Sequence, residues 1–163
     1  MQYGFKPSHS PIQCTFVLNE VVNYYTSRQT PAFVTLLDAS KAFVRVQYVK
    51  LFELLLRRNM CPAMVKFLAL AYIQQSLSVR WQNVTSTSFP CENGIKQGGV
   101  LSPILFCAYM DTLLERLSHL GVGCHVGHVF AGALSYADDL TLLALARSAM
   151  NTMLRECEAF ARE

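Results

Sequence analysis

The sequence predicts an α+β fold in which an antiparallel sheet packs against helices, and three observations predict it. Proline opens three stretches of helical character, at Pro11, Pro62 and Pro103, a position where its missing N–H and fixed φ cost nothing. Residues 32–37 (Ala-Phe-Val-Thr-Leu-Leu) form a short apolar run that reads as a buried strand ending at Asp38. Residues 134–137 and 140–146 read as the two arms of a hairpin with Asp138 and Asp139 at its apex. With 163 residues and no linker, repeat or low-complexity tract, residues 1–163 read as a single domain.

Each element has a local reason. Residues 1–10 read as a loop, and Ser10-Pro11 starts an amphipathic helix over Ile12–Tyr25, with Phe16, Val17, Val21 and Tyr24 at helical spacing. Gln29-Thr30-Pro31 turns the chain into the strand that ends at Asp38. Residues 39–43 form a tight segment whose backbone amides suit phosphate oxygens. Helices follow over Tyr48–Asn59 and Pro62–Gln75, then a hairpin around Asn83 with Val79 and Trp81 alternating and Trp81 packed. The glycine-rich loop 94–101 leads to a Ser102 cap and a helix from Pro103 to Leu120, stopped by Gly121. A strand with a turn near Gly127 precedes the acidic hairpin, and a helix over Ser148–Arg162 closes the chain.

The acids carry the chemistry. An isolated Asp-Asp pair is usually a solvated turn. Two adjacent carboxylates at the end of buried strands, however, repel each other and lose hydration, so they hold a proton or bind a hard divalent cation. Asp38, a third acid at a strand end, raises the second possibility because strand ends can converge.

Composition narrows the class further. Hydrophobic residues make up 52% of the chain and charged residues 15%, yet no stretch supplies the roughly 18 consecutive apolar residues of a membrane span. Residues 1–10 show no signal pattern. The first 100 residues carry ten Lys and Arg against four acids, and the remainder four against seven. That asymmetry suits a polyanion on one part and a cation on the other, or simply a solvated charged face. The six cysteines form no CxxC pair and read as free thiols in a reducing compartment. Cys124, His125, His128 and His119 fit no standard zinc spacing and read as ordinary strand and loop positions.

Three ordered segments resemble the palm motifs of reverse transcriptases, and their wording is closest to the non-LTR retrotransposon (LINE-like) branch. Leu37-Asp38-Ala39-Ser40-Lys41-Ala42-Phe43 resembles motif A; residues 94–106, Gly-Ile-Lys-Gln-Gly-Gly-Val-Leu-Ser-Pro-Ile-Leu-Phe, resemble motif B; Tyr136-Ala137-Asp138-Asp139 resembles motif C. Gly4-Phe5-Lys6 and the helix after it resemble the stretch that precedes motif A. The resemblance implies a polymerase palm with an antiparallel sheet packed on helices, a short fingers-side segment at the N-terminus and no thumb. It implies RNA-directed DNA synthesis, with two Mg²⁺ ions (or Mn²⁺ in their place), an RNA template, a DNA primer and dNTPs. Asp38 and Asp138 would be the main metal ligands, assisted by the Ala39 carbonyl and Asp139. The Lys41 and Ala42 amides would meet the triphosphate, Phe43 would exclude a 2′-hydroxyl, and Gln97 would contact the nucleotide. Lys96, Gly98, Ser102 and Pro103 would serve template and primer, with Tyr136 beneath the catalytic turn.

The resemblance also implies absent fingers, thumb and endonuclease regions of a parent protein, and a nuclear or cytoplasmic location. One residue departs from the pattern: Val44 stands where the family usually has Asp. Two other readings compete. The chain is a remnant that keeps the acids without the activity, or it is an acidic-pocket α/β regulatory domain, which requires a parallel sheet.

Overall fold

The computed structural model describes residues 1–6, 8–39, 41–96 and 98–163. In chain order they form α1 (Pro11–Thr26), β1 (Phe33–Asp38), a one-turn 3-10 helix (Ala42–Arg45), α2 (Tyr48–Arg57), α3 (Pro62–Ile73), β2 (Ser76–Leu77), β3 (Arg80–Trp81), β4 (Val84–Thr85) and β5 (Phe89–Pro90). Next come α4 (Ser102–His119), β6 (His125–Val126), β7 (Val129–Phe130), β8 (Ala133–Tyr136), β9 (Asp139–Ala144) and α5 (Arg147–Arg162). The result is a mixed α+β fold with small antiparallel sheets. Two units divide it: Met1–Ser40 with Tyr109–Glu163, and Lys41–Ala108.

The first unit is built on a three-stranded sheet of order β1-β9-β8, with β9 antiparallel to both neighbours. The competing α/β reading needs a parallel sheet and fails here. Leu134, Leu142, Leu143 and Ala144 are buried because β8 and β9 face helices. Fully burying one such leucine contributes about 1.5–3 kcal/mol.

Helix α1 starts where proline and serine place it, through a capping box. The Ser10 hydroxyl accepts from the Gln13 N–H at 3.4 Å, and the Gln13 side chain accepts from the Ser10 N–H at 3.2 Å. Its Val17, Leu18, Val21, Val22 and Tyr25 pack on a cluster of Tyr3, Cys124, Ala131, Leu134 and Leu143. Phe16, expected on that face, is exposed: it is offset from the stripe that runs through Cys14, Val17, Leu18 and Val21. Helix α5 lies against β9 through Met150 and Met153, and Glu163 after it accepts two hydrogen bonds from Arg116 of α4, both 2.8 Å.

Strand β1 differs from expectation. It is the edge of its sheet and is largely exposed, with Leu36 at 74% and Phe33 and Val34 also open. An apolar run describes a strand's composition but not its place in the strand order.

In the second unit α2 and α3 pack through Leu51, Leu55, Val65 and Leu68, and the rings of Tyr48 and Tyr72 meet edge-on at 5.6 Å. The expected hairpin around Asn83 is present as two short pairings, β2 with β5 and β3 with β4. Trp81 is not packed: it is 76% exposed on this thin two-stranded ribbon. All six cysteines are free thiols. No described helix is long and apolar enough to cross a membrane.

Candidate active site

Two acids of the first unit stand face to face at one end of the sheet, with Asp138 next in sequence to one of them. The β1–β9 register sets Asp38 directly opposite Asp139, an arrangement that holds the two Cα atoms about 4.5–5.5 Å apart. Asp38 and Asp139 are exposed, and Asp138 is half-buried. The dehydration expected from burial at strand ends is therefore absent for two of the three acids.

The hairpin turn also sits one residue earlier than its acidic sequence suggests. Tyr136 pairs with Asp139, so the two turn residues are Ala137 and Asp138, while Asp139 is the first residue of β9. Ala137 takes the left-handed conformation, φ 56°. Two-residue hairpins want a positive φ at this first position, and glycine normally supplies it. An alanine there stores strain of the kind found at functional turns.

Neighbouring residues hold this turn. Residues 1–3 run alongside β8: the Ser135 N–H donates to the Met1 carbonyl and the Tyr3 N–H to the Ser135 carbonyl, both at 2.8 Å. Gly4 is pressed against the turn, since a Cβ there would lie 2.2 Å from the Ala137 nitrogen. Tyr136, the residue before the turn, is half-buried and packs against the core cluster. A cavity of about 400 Å³ lies between α1 and the β1–β9 pair, lined by Cys14 and Leu18 together with Leu37, Asp38, Asp139 and Leu140.

The donor set suits a hard divalent cation in kind, being carboxylate throughout. It also makes sense of a cost: the strand register sets two like charges directly opposite each other, an arrangement that is destabilising on paired strands. Among the described residues, no three His, Cys, Asp or Glu side chains form a ready-made metal cluster, around Cys124 and His125 or elsewhere. Mg²⁺ does not demand one, because it is usually held by one or two carboxylates plus water and substrate phosphates.

The second unit carries the other expected residues. Lys41, at φ 60°, leads into the 3-10 helix, with Lys41 exposed and Ala42 half-buried. Phe43 stacks on the buried ring of Phe106, centroids 4.4 Å apart and planes 15° from parallel. The glycine-rich loop is tied to this helix: the Gly94 N–H donates to the Val46 carbonyl at 2.9 Å and the Ile95 N–H to the Phe43 carbonyl at 2.7 Å. Gly94 has φ 93°, and a Cβ on it would lie 2.8 Å from the Val44 carbonyl oxygen, so glycine is required there. The Val44 side chain, by contrast, is exposed.

Lys96 and Gly98 are exposed and Pro103 is half-buried in the first turn of α4. Ser102 is buried and does not act as the expected helix cap. It is the first helical residue, and its hydroxyl donates to the Lys96 carbonyl at 2.5 Å, fastening the loop instead. Ala39 is half-buried one residue past β1. Ser40 of motif A and Gln97, expected at the nucleotide, lie outside the described residues.

The chain belongs to the reverse transcriptase (RNA-dependent DNA polymerase) family, whose model matches residues 1–163. More particularly, it is related to the polymerases of R2 and X-element non-LTR retrotransposons. It is 29% identical over 153 residues to the Retrovirus-related Pol polyprotein from type-2 retrotransposable element R2DM of Drosophila melanogaster, covering 94% of this chain and 14% of that protein. To the corresponding polyprotein from type-1 element R2 of Nasonia vitripennis it is 28% identical over 162 residues, covering 99% of this chain and 16% of the relative. To the probable RNA-directed DNA polymerase from transposon X-element of Drosophila melanogaster it is 30% identical over 110 residues, covering 66% of this chain and 12% of the relative. The chain thus spans only a small part of the curated relatives it matches.

Proposed function

We propose that this chain is the palm, with a short fingers-side segment, of a non-LTR retrotransposon RNA-directed DNA polymerase, acting as a single domain that adds dNTPs to a primer 3′-hydroxyl on an RNA template. The observation that carries this reading is the like-charged pair Asp38–Asp139 at an open sheet end, beside the turn that bears Asp138. A fold that places these charges face to face is destabilised unless a cation neutralises them.

In this reading Asp38, Asp138 and Asp139 hold two Mg²⁺ ions, with the Ala39 carbonyl assisting. When bound, the ions stabilise charge on the attacking and leaving oxygens of an in-line phosphoryl transfer. The residues themselves fix the geometry: Asp38 and Asp139 are locked by strand register, and Asp138 by the strained turn. By likeness to motif A, the Lys41 and Ala42 amides receive triphosphate oxygens. Phe43, braced by Phe106, forms a wall that a 2′-hydroxyl cannot pass. Gln97 contacts the nucleotide, while Lys96, Gly98, Ser102, Pro103 and Tyr136 serve template and primer. The basic surplus of the first 100 residues suits a nucleic-acid backbone.

The test is primer extension on an RNA template with dNTPs and Mg²⁺ or Mn²⁺, using Asp138→Asn as control. Extension by the chain that disappears in the control supports the proposal. Absence of extension in both favours the remnant, a piece that keeps the acids without holding template and primer. In the same assay, Phe43→Ala should admit ribonucleotides, lowering sugar discrimination by about 10- to 100-fold, the range one excluded group confers. Unchanged discrimination would leave Phe43 with a packing role against Phe106 alone.

A further inference from the structure

We infer that Gln2 is a positioning residue for Asp138, its carboxamide clamping the strained turn that presents this acid. The inference rests on the polymerase reading for the role of Asp138, but its geometry stands independently. Gln2 is 5% exposed, and its side chain is used at both ends. Its Oε1 accepts from the Gly4 N–H at 2.8 Å and from the Ala137 N–H at 3.2 Å. Its Nε2 donates to the Ser135 hydroxyl at 3.1 Å and to the Ala137 carbonyl at 3.4 Å. Ser135, fully buried, completes the net by donating to the same Ala137 carbonyl at 3.2 Å. The amide orientation follows from its partners, because backbone N–H groups can only donate and must face the oxygen.

Gln2 therefore grips both the N–H and the C=O of the one turn residue that holds a positive φ. Asp138 is the next residue, so its backbone direction is set by that grip. Other residue types fail at position 2 for stated reasons. Glutamate would offer acceptors without a donor and would bury a charge against the turn that bears Asp138. An apolar residue of similar length would leave the Ala137 N–H and C=O without these buried partners. Residues that orient a metal-holding side chain through hydrogen bonds typically carry a 10- to 100-fold effect on activity when removed.

The experiment compares wild type with Gln2→Met, after a thermal melt confirms that the variant folds, in two measurements. Amide hydrogen exchange should show protection lost at Ala137 and its turn, with residues 141–143 in the middle of β9 unchanged. Primer extension should show kcat lowered about 10- to 100-fold with the KM for dNTP held, a split that general destabilisation does not produce. If Gln2→Met fails to fold, Ser135→Ala, which removes the hydroxyl between Gln2 and Ala137, carries both measurements with a smaller expected effect. A folded variant with normal turn exchange and normal kcat overturns the clamp and leaves the polymerase reading intact. Accelerated turn exchange in a protein whose wild type extends no primer keeps the clamp and sinks the polymerase reading.

Discussion

Asp38→Asn should leave the protein more stable and almost inert. Asp38 faces Asp139 across the β1–β9 pair, so removing one charge relieves a like-charge contact worth about 0.2–1 kcal/mol. For a chain of this size that is a rise in Tm of up to about 4 °C, measured without divalent cations. Primer extension should fall by at least about 100- to 1,000-fold, because several kcal/mol of transition-state charge stabilisation depends on the ions this carboxylate helps to hold. Opposite signs for stability and activity are the mark of a residue kept for chemistry and not for folding. A lowered Tm in calorimetry would show that Asp38 stabilises the strand end, and the argument from electrostatic cost would fall.

Gly4→Ala should be among the most damaging single-methyl additions available in this chain. The new Cβ would sit 2.2 Å from the Ala137 nitrogen and 2.9 Å from its Cα, atoms of a backbone already fixed by Gln2 and by strand pairing. Side chains can rotate away from an intruding methyl; this backbone cannot. Overpacking of that kind costs about 3 kcal/mol, a fall in Tm of roughly 6–12 °C. Gly121→Ala is the matched comparison. Gly121 has φ 69° with open space around it, so only the conformational penalty of about 1–2 kcal/mol applies. Equal effects in a thermal melt would mean that residues 1–4 do not hold the turn tightly.

Much of this architecture is legible in the sequence because its signals are local. Ser10-Pro11 specifies a helix start through groups within three residues of each other, and the structure uses them as expected. The convergence of Asp38 on the acidic hairpin is legible as well, once both are read as strand ends. What local signals miss is rank within the sheet: the apolar run 33–37 looks like a central strand yet lies at the edge, because strand order depends on pairings more than 100 residues apart. The turn position is missed for a related reason. Asp138-Asp139 has the better turn composition, but the register of β8 with β9 puts the turn on Ala137-Asp138 and forces alanine into a glycine conformation. Gln2 carries no pattern that marks it. Its importance arises only when residue 2 comes to lie beside residue 135.

Strand β1 has a consequence for the behaviour of the chain at high concentration. Among the described residues its outer edge has no strand partner, and Phe33, Val34 and Leu36 are exposed on it. Proteins normally blunt such an edge with lysine, proline or a bulge, and residues 33–37 contain none of these. The opposite edge of the sheet is bordered by residues 1–3 at β8. Edge-to-edge self-association should therefore run through β1, pairing two chains strand to strand and closing at a dimer because each sheet offers one open edge among the described residues.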